Sequence, residues 1–219
     1  MPSLLHLLER NRQWAANVTA GRPDFFANLA QGQAPRYFWV GCSDSRVPAN
    51  EIIDLAAGEL FVHRNVANVV VHTDLNFLSA LQFAVDSLRI EHVMVVGHLG
   101  CGGVHAAYQA RPLGLIDNWL RHVQDVSTKH AALLECLPDD GSREDRLCEL
   151  NVIEQVDHVA RTTIVQDAWR RGQSLTVHGW VYGLENGLLR DLGISADSPE
   201  SLARGYAGAL ARLSAASAG

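Results

Sequence analysis

Two spacings of apolar residues alternate along the chain, and they predict an alternation of strands and helices. Short continuous apolar runs end abruptly in small or polar residues at 37–40 and 93–96, which is typical of strands buried on both faces of a sheet. Other stretches, such as 78–88, place apolar residues three or four positions apart and predict helices with one buried face. This order of elements predicts a parallel sheet with right-handed crossovers.

Turn and capping residues give the predicted elements approximate limits. The predicted strands are Tyr37 to Cys42, Leu60 to Arg64, Val93 to Gly97, Leu175 to Val181 and an edge strand from Gly187 to Leu192. The predicted helices begin behind Ser3, near Asp24, at Thr73 or Asp74, before Val104, at Leu115, at Ser142 and at Ser198. Ser142 and Asp145 resemble a capping box, and Gly172 suits the position just beyond a helix end. We therefore predict an α/β fold with a mainly parallel central sheet flanked by helices.

The pattern contains no linker or repeat that would divide the chain, so we expect one domain over residues 1–219. Within it we expect an N-terminal helical arm at 1–34, an α/β core at 35–195, and a C-terminal helix with a polar tail at 196–219. The arm precedes the first strand and has no place in the alternation of strands and helices. Packing on a partner subunit is one way to bury its apolar residues.

Composition narrows the classes of partner. The chain of 219 residues is 47% hydrophobic and 19% charged, as in an ordinary globular protein, and its formal net charge is -6. No block of Lys and Arg offers a nucleic-acid footprint. No signal-like segment and no stretch of roughly 18 apolar residues predicts contact with a membrane. We expect a cytosolic protein whose partner is a small molecule or another copy of itself.

The candidate chemistry lies just beyond two of the predicted strands. Cys42 and Asp44 follow the first strand, while His98 and Cys101 lie in a glycine-rich turn after the third. The carboxyl ends of parallel strands form the ligand-binding crevice of open α/β sheets, so these side chains are expected to meet. Sulfur, nitrogen and carboxylate oxygen are donors that zinc accepts. The sequence therefore predicts a zinc site at this edge of the sheet.

Other interpretations of the same residues remain open at this point. The two cysteines could be ordinary buried thiols, or the glycines at 97, 100 and 102 could form a phosphate cradle. A thiol redox protein would instead need a Cys-x-x-Cys pair, which the sequence lacks. Asp44 could also complete a purely structural site of four protein ligands. We favour a catalytic ion with an exchangeable position, because structural zinc usually supports domains without a core of their own.

The remaining cysteines and histidines suggest packing roles. Cys136 and Cys148 fall in helical patterns and are expected to be buried. His63 and His178 lie inside predicted strands and are expected to be structural, whereas His105 lies just past the glycine turn and could be near the site.

The paired motifs resemble those of the β-class carbonic anhydrases. Cys-x-Asp-x-Arg at 42–46 and Gly-His-x-x-Cys-Gly-Gly at 97–103 carry the resemblance, which extends over nearly the whole chain. It implies Zn²⁺ held by Cys42, His98 and Cys101, with hydration of carbon dioxide to bicarbonate by zinc-bound hydroxide. It also implies a dyad of Asp44 and Arg46 beside the metal. A small substrate pocket completed across a dimer interface is implied for four further residues: Gln33, Val66, Phe83 and Gly102.

The resemblance further implies a noncatalytic bicarbonate pocket. Trp39, Arg64 and Tyr182 lie near the ends of predicted strands, where an indole, a guanidinium and a phenol could donate to an oxyanion. From the residues alone, a buried aromatic pair with an arginine is the simpler interpretation. The resemblance, including Gly41 and Val47 near the zinc loop, instead implies inhibition by bicarbonate and low pH, with Asp44 able to close the site. The alternative function is a noncatalytic zinc-stabilised assembly module, permanently closed by Asp44.

Overall fold

The computed structural model describes residues 4–215, which form a five-stranded sheet between layers of helices. The strands are β1 Tyr37–Cys42, β2 Leu60–Asn65, β3 His92–His98, β4 Thr176–Tyr182 and β5 Leu189–Ala196. Their order across the sheet is β2-β1-β3-β4-β5. The first four strands run parallel, and β5 is an antiparallel edge. The predicted α/β class and mainly parallel sheet are confirmed.

Ten α-helices connect and cover these strands in the described residues. They are α1 Leu5–Gly21, α2 Phe25–Leu29, α3 Ala49–Ile52, α4 Leu75–Gln82, α5 Gly102–Tyr108, α6 Ile116–Lys129, α7 Ala131–Glu135, α8 Asp140–Arg161, α9 Thr163–Arg170 and α10 Pro199–Ala215. A 3-10 turn at Val66–Asn68 follows β2, and a wider π turn at Phe83–Ser87 continues α4.

The main core lies on the sheet face that α8 covers. Alternate residues of the central strands, including Phe38, Val40, Val93 and Val95, are fully buried there. The helix α8 packs across β3 and β4, and 12 of its residues are buried. A smaller apolar cluster around Trp39 occupies the opposite face. The sheet is therefore held from both sides at the strands that carry the predicted site.

The register of β1 and β3 brings the two motifs together. Gly41 pairs with Val96, so Cys42 and His98 leave the sheet from adjacent parallel strands at the same edge. Cys42 also pairs with Asn65 at the end of β2. The expectation that the carboxyl ends of neighbouring strands would meet is confirmed.

Two long helices of the sequence interpretation are each divided in the structure. The helix predicted from Ser142 to Gly172 is broken at Thr162, whose extended backbone ends α8 and whose hydroxyl caps α9. The helix predicted from Leu115 to Leu134 is broken at His130, whose ring is hydrogen-bonded to Glu154. Apolar spacing continues through both breaks, so periodicity alone could not locate them.

Several predicted limits also shift. The predicted capping box at Ser142 is wrong, because α8 begins three residues earlier and Asp139 is its N-cap, accepting hydrogen bonds from the N–H and hydroxyl of Ser142. Asp74 caps α4 as one of the two predicted candidates, and Gly172 has the left-handed conformation expected beyond a helix end. The predicted cap Ser3 and the end of the polar tail at 216–219 lie outside the described residues.

The first two helices contact each other and bury none of their residues in this chain. Trp14 and Phe26 form an edge-to-face pair between them, which fixes one helix against the other. Within residues 4–215, no helix combines the length and the apolar character that crossing a bilayer requires.

Candidate metal centre

Three side chains converge where β1, β3 and α5 meet. Cys42 is the last residue of β1, His98 is the last residue of β3, and Cys101 directly precedes α5. Gly100, in the left-handed region with a φ of 63°, turns the chain sharply between His98 and Cys101. The ligand atoms of the three residues lie within 4.8 Å of one another, and all three side chains are buried.

The geometry of this trio fits a tetrahedral zinc ion. The Cys42 and Cys101 sulfurs are 3.9 Å apart, and zinc–sulfur bonds of about 2.3 Å at a tetrahedral angle would place them about 3.8 Å apart. The Nδ1–H of His98 donates to the Leu99 carbonyl at 3.1 Å, which leaves the Nε2 lone pair free. Nε2 is buried without a hydrogen-bond partner. A metal ion would satisfy this nitrogen, since a buried polar atom without a partner is costly.

The two thiols favour one ionised sulfur even before a metal binds. The Cys101 thiol acts as hydrogen-bond donor to Cys42 and lowers the pKa of Cys42, with smaller contributions from His98 and from the backbone N–H groups of Asp44 and Ala67. Its hydrogen bond with Cys42, together with burial, raises the pKa of Cys101. A divalent cation would instead lower the pKa of both thiols, because it stabilises both thiolates.

Asp44 and Arg46 form a fixed pair beside the trio. The Arg46 Nε donates to Asp44 Oδ1 at 3.0 Å and Nη2 donates to Oδ2 at 2.7 Å, a bidentate arrangement. The side-chain hydrogen bond from Arg46 holds the pKa of Asp44 well below its usual range. Asp44 Oδ2 lies 3.7 Å from His98 Nε2. In this arrangement Asp44 borders the trio without belonging to it, and its role as a fourth ligand stays a prediction.

Arg64 ties the loop after β1 to the neighbouring strand. Its Nε donates to the Cys42 carbonyl at 2.7 Å, and its Nη2 donates to the Asp44 carbonyl. The loop that carries two predicted site residues therefore depends on a cation from β2.

The predicted substrate-pocket residues are partly brought together. A Cβ on Gly103 would lie 2.9 Å from Val66 Cγ1, so Val66 packs against the start of α5, next to Gly102. Phe83 is exposed and its ring lies 5.9 Å from that of Phe61. A Cβ on Gly102 would meet open space. Gln33 is exposed in the segment before β1, and its contribution to a pocket stays a prediction.

Trp39 and Tyr182, two residues of the predicted bicarbonate pocket, pack in the apolar cluster on the sheet face opposite α8. Val47 is in the same cluster, and the Trp39 indole lies over Gly41, where a Cβ would be 2.1 Å from Nε1. The Trp39 Nε1–H is buried and has no hydrogen-bond partner. Arg64 pairs with Gly41 in the register of β1 and β2.

The other singled-out residues have structural contacts. His63 packs against Phe77, His178 is hydrogen-bonded to Ser195, and His105 faces Glu144 at 2.8 Å. Cys148 is buried as predicted, whereas the predicted burial of Cys136 is wrong because it lies exposed just after α7.

Sequence interpretation missed a group of buried amides behind the centre. Asn151 and Gln155 are completely buried on α8 and bind the backbone after β2. The available signal was their spacing: two amides four residues apart lie on one face of a helix, with apolar residues at 147, 150, 152, 153 and 156 around them.

Comparisons with known proteins agree with this geometry. A family profile described as carbonic anhydrase matches residues 37–189. A carbonic anhydrase of Emericella nidulans is 49% identical over 197 residues, which cover 90% of this chain and 86% of the relative. A Coccomyxa β-carbonic anhydrase in complex with acetazolamide superimposes with a TM-score of 0.87 and 39% identity, covering 93% of this chain and 92% of the other. One of two tetrameric β-carbonic anhydrases from Sordaria macrospora superimposes with a TM-score of 0.83 and 35% identity, covering 87% of this chain and 97% of the other.

Proposed function

The chain belongs to the β-class carbonic anhydrase family and is a carbonic anhydrase that uses zinc, and from this premise we propose the assignment of its residues. Cys42, His98 and Cys101 hold the ion, and the reaction is the reversible hydration of carbon dioxide to bicarbonate and a proton. The observation that carries the ligand assignment is the buried, unpartnered Nε2 of His98 between two sulfurs.

Zinc bound there supplies the Lewis acidity that makes a water nucleophilic, although two thiolates acidify that water less than three neutral imidazoles would. Asp44 accepts a hydrogen bond from the attacking water and orients it. Arg46 keeps that carboxylate ionised and fixed, because both of its donating nitrogens bind Asp44. Asp44 is also the residue that could rotate onto the ion and close the site.

The substrate pocket of the proposal is apolar and small. It is lined by Val66, Gly102, Phe83 and Gln33 and is completed across the dimer interface. The open space above Gly102 and the exposure of Phe83 and Gln33 support this arrangement. The assembly is a homodimer or a dimer of dimers in which α1 and α2 pack on the partner.

We extend the proposal to regulation by bicarbonate. The unpartnered Trp39 Nε1–H, with Arg64 and Tyr182, would donate to the anion. Arg64 also binds the Cys42 and Asp44 carbonyls, so an anion that draws on its guanidinium acts directly on the loop that carries Asp44. Bicarbonate and low pH would then favour the closed arrangement, giving low activity below about pH 8 and a steep rise above it.

We also place the protein in the cytosol. The four cysteines are unpaired in the structure, which agrees with a reducing compartment. Fractionation of cells with an antibody against the chain tests this location, and enrichment in an organelle would contradict it.

Zinc content and hydration rate, measured together across pH, test the main assignment. The parent should contain about one zinc per chain and hydrate carbon dioxide at alkaline pH. Cys101→Ala should lose most zinc and all activity, because two donors cannot hold the ion tightly. Asp44→Asn should keep zinc and lose activity, because an amide cannot replace the carboxylate as acceptor while binding Arg46.

Three results would contradict parts of this assignment. Full zinc occupancy in Cys101→Ala would remove Cys101 from the ligand set, and near-normal turnover in Asp44→Asn would remove Asp44 from the mechanism. Stoichiometric zinc without hydration at any pH would favour the alternative of a noncatalytic zinc-stabilised assembly module.

Steady-state hydration against bicarbonate and pH tests the regulatory part. Trp39→Val and Tyr182→Phe should weaken bicarbonate inhibition and soften the pH dependence while leaving alkaline activity in place. If neither variant changes the inhibition, the aromatic residues serve only packing and the pocket is not regulatory.

A further inference from the structure

The segment after β2 has an unusual backbone beside the metal centre. Ala67 and Asn68 both have positive φ, 62° and 46°, although neither is glycine. Side chains other than glycine disfavour this region, so the surrounding structure must hold them there. Both residues are buried, and Ala67 is completely inaccessible to solvent.

Side-chain hydrogen bonds, rather than pairing in the sheet, hold the backbone of residues 66–69, here called the fastened segment. The Trp119 indole donates to the Val66 carbonyl at 2.9 Å, and Asn151 Nδ2 donates to the Ala67 carbonyl at 2.9 Å. The Asn65 side chain binds both backbone groups of Val69: Nδ2 donates to the Val69 carbonyl and Oδ1 accepts from the Val69 N–H, each at 2.8 Å. Two helices and the end of β2 therefore determine the path of the backbone.

A second amide orients the first. Gln155 Nε2 donates to Asn151 Oδ1 at 2.9 Å, which leaves Asn151 Nδ2 as the group that faces Ala67. Gln155 Oε1 accepts from the Val70 N–H at 2.7 Å. Both amides are fully buried, so a lost partner would leave a buried polar group unsatisfied.

The fastened segment touches both halves of the zinc site. Cys42 pairs with Asn65 in the register of β1 and β2, and the N–H of Ser43 donates to the Asn65 carbonyl at 2.8 Å, so the segment begins directly beside Cys42. On the other side, a Cβ on Gly103 would lie 3.2 Å from Ala67 Cβ, so the segment also packs against the start of α5 just after Cys101.

We propose that Asn151, oriented by Gln155, is a positioning residue of the metal centre: by donating to the Ala67 carbonyl it holds the left-handed segment between the end of β2, beside Cys42, and the start of α5, just after Cys101. Displacement of this segment would change the separation and direction of the two sulfurs. The chain thereby controls the geometry of its sulfur ligands from a residue that touches neither metal nor substrate. The inference rests on the proposed ligand set.

Metal binding by the intact protein tests the proposal through two readouts that do not depend on turnover. Asn151→Leu removes the donor in a similar volume. The zinc dissociation constant of this variant should rise about tenfold or more, which is the usual effect of removing a residue that supports the metal ligands from outside the coordination sphere. With cobalt in place of zinc, the near-ultraviolet thiolate-to-metal absorption should shift relative to the parent.

Thr162→Val is the matched control, because it removes a buried hydroxyl that caps α9 far from the site. It should lower stability while leaving zinc affinity and the cobalt spectrum at parental values. If Asn151→Leu does not fold, Asn151→Asp decides instead, since it keeps the shape of the side chain and the acceptor for Gln155 but removes the Nδ2 donor to the Ala67 carbonyl.

Parental affinity within twofold and an unchanged spectrum in the deciding variant would overturn the proposal, as would an equal shift in Thr162→Val. These results are separate from the ligand assignment, because zinc occupancy of Cys101→Ala tests that assignment.

Discussion

The two terminal helices have the same length and opposite surroundings. Both α1 and α10 contain 17 residues, but α10 buries Leu202, Ala209 and Leu213, whereas α1 buries none of its residues. In α10, Tyr206 is also bound to Glu154 of α8. In α1, Leu5 is 70% exposed and Trp14 is 52% exposed. An apolar stripe therefore predicts that a helix face needs a cover, but not which chain supplies it.

Exposed apolar residues along one terminal arm form a surface that a monomer rarely leaves uncovered. This is the main structural support for the proposal that the arm packs on a second subunit. The comparison of α1 with α10 makes this proposal testable, because substitutions on α1 should affect assembly and substitutions on α10 should affect folding of the single chain.

The largest expected effect is on assembly. Replacing Leu8 and Trp14 together by Glu should weaken subunit association by roughly 30-fold or more, since one buried aromatic anchor commonly contributes about 2 kcal/mol or more. Sedimentation across a range of protein concentrations measures the change. The matched control places Glu at Arg10 and Asn17, which are polar positions of the same helix. An unchanged dissociation constant in the Leu8 and Trp14 variant would show that α1 is not part of the interface.

A core substitution in α10 sharpens the contrast. Leu202→Ala should lower the free energy of unfolding by about 2–4 kcal/mol, because a buried side chain is lost and a cavity remains. Leu8→Ala should lower it only at concentrations where the chain is assembled. Denaturant titrations at two protein concentrations distinguish the two. A concentration-independent loss of the same size in Leu8→Ala would mean that α1 is covered by its own chain.

The sequence was sufficient to predict that the three proposed zinc ligands lie together, and insufficient to predict the contacts that support them. Cys42, His98 and Cys101 follow strand ends, and parallel pairing brings such ends together regardless of side-chain detail. The break at Thr162 is a local cap, in which the hydroxyl accepts from the Val165 N–H, and apolar periodicity does not mark it. The break at His130 escaped prediction because its ring is hydrogen-bonded to Glu154, which is distant in sequence. The same holds for Asn151, whose partner is the carbonyl of Ala67, far away in sequence. Local periodicity contains no information about such contacts.

The contact between Tyr206 of α10 and Glu154 of α8, here called the anchor of α10, should stabilise the fold to a degree that depends on pH. Burial raises the pKa of Glu154, but the hydrogen bonds from His130, Lys129 and Tyr206 prevail and lower it to about 2. A carboxyl whose folded pKa is depressed stabilises the fold above its unfolded pKa and loses this contribution as pH falls. Between about pH 5 and 2, we expect Glu154 to add a slope of up to ~1.4 kcal/mol per pH unit to the unfolding free energy.

Unfolding measured against pH for the parent and Tyr206→Phe tests this linkage. Loss of the phenol removes one of the stabilising hydrogen bonds, so the variant should show a shallower acid slope. A slope equal to that of the parent would show that Tyr206 does not contribute to the anchor. On α1, by contrast, the carboxylate of Glu9 is exposed.

The smallest expected effect concerns that exposed carboxylate. Glu9 and Arg12 form an ion pair at 2.9 Å on α1, with both side chains 70% exposed. Such pairs contribute about 0–1 kcal/mol, because water screens the charges and holding two long side chains costs entropy. Glu9→Gln should therefore change the unfolding free energy by less than about 0.5 kcal/mol, measured by denaturant titration at a concentration where the chain is dissociated. The matched substitution Glu154→Gln, in the anchor of α10, should cost several times more, since it leaves Lys129 beside a neutral amide. If the two substitutions have equal effects, α10 is no better anchored by its charges than α1, and the difference between the helices rests on apolar burial alone.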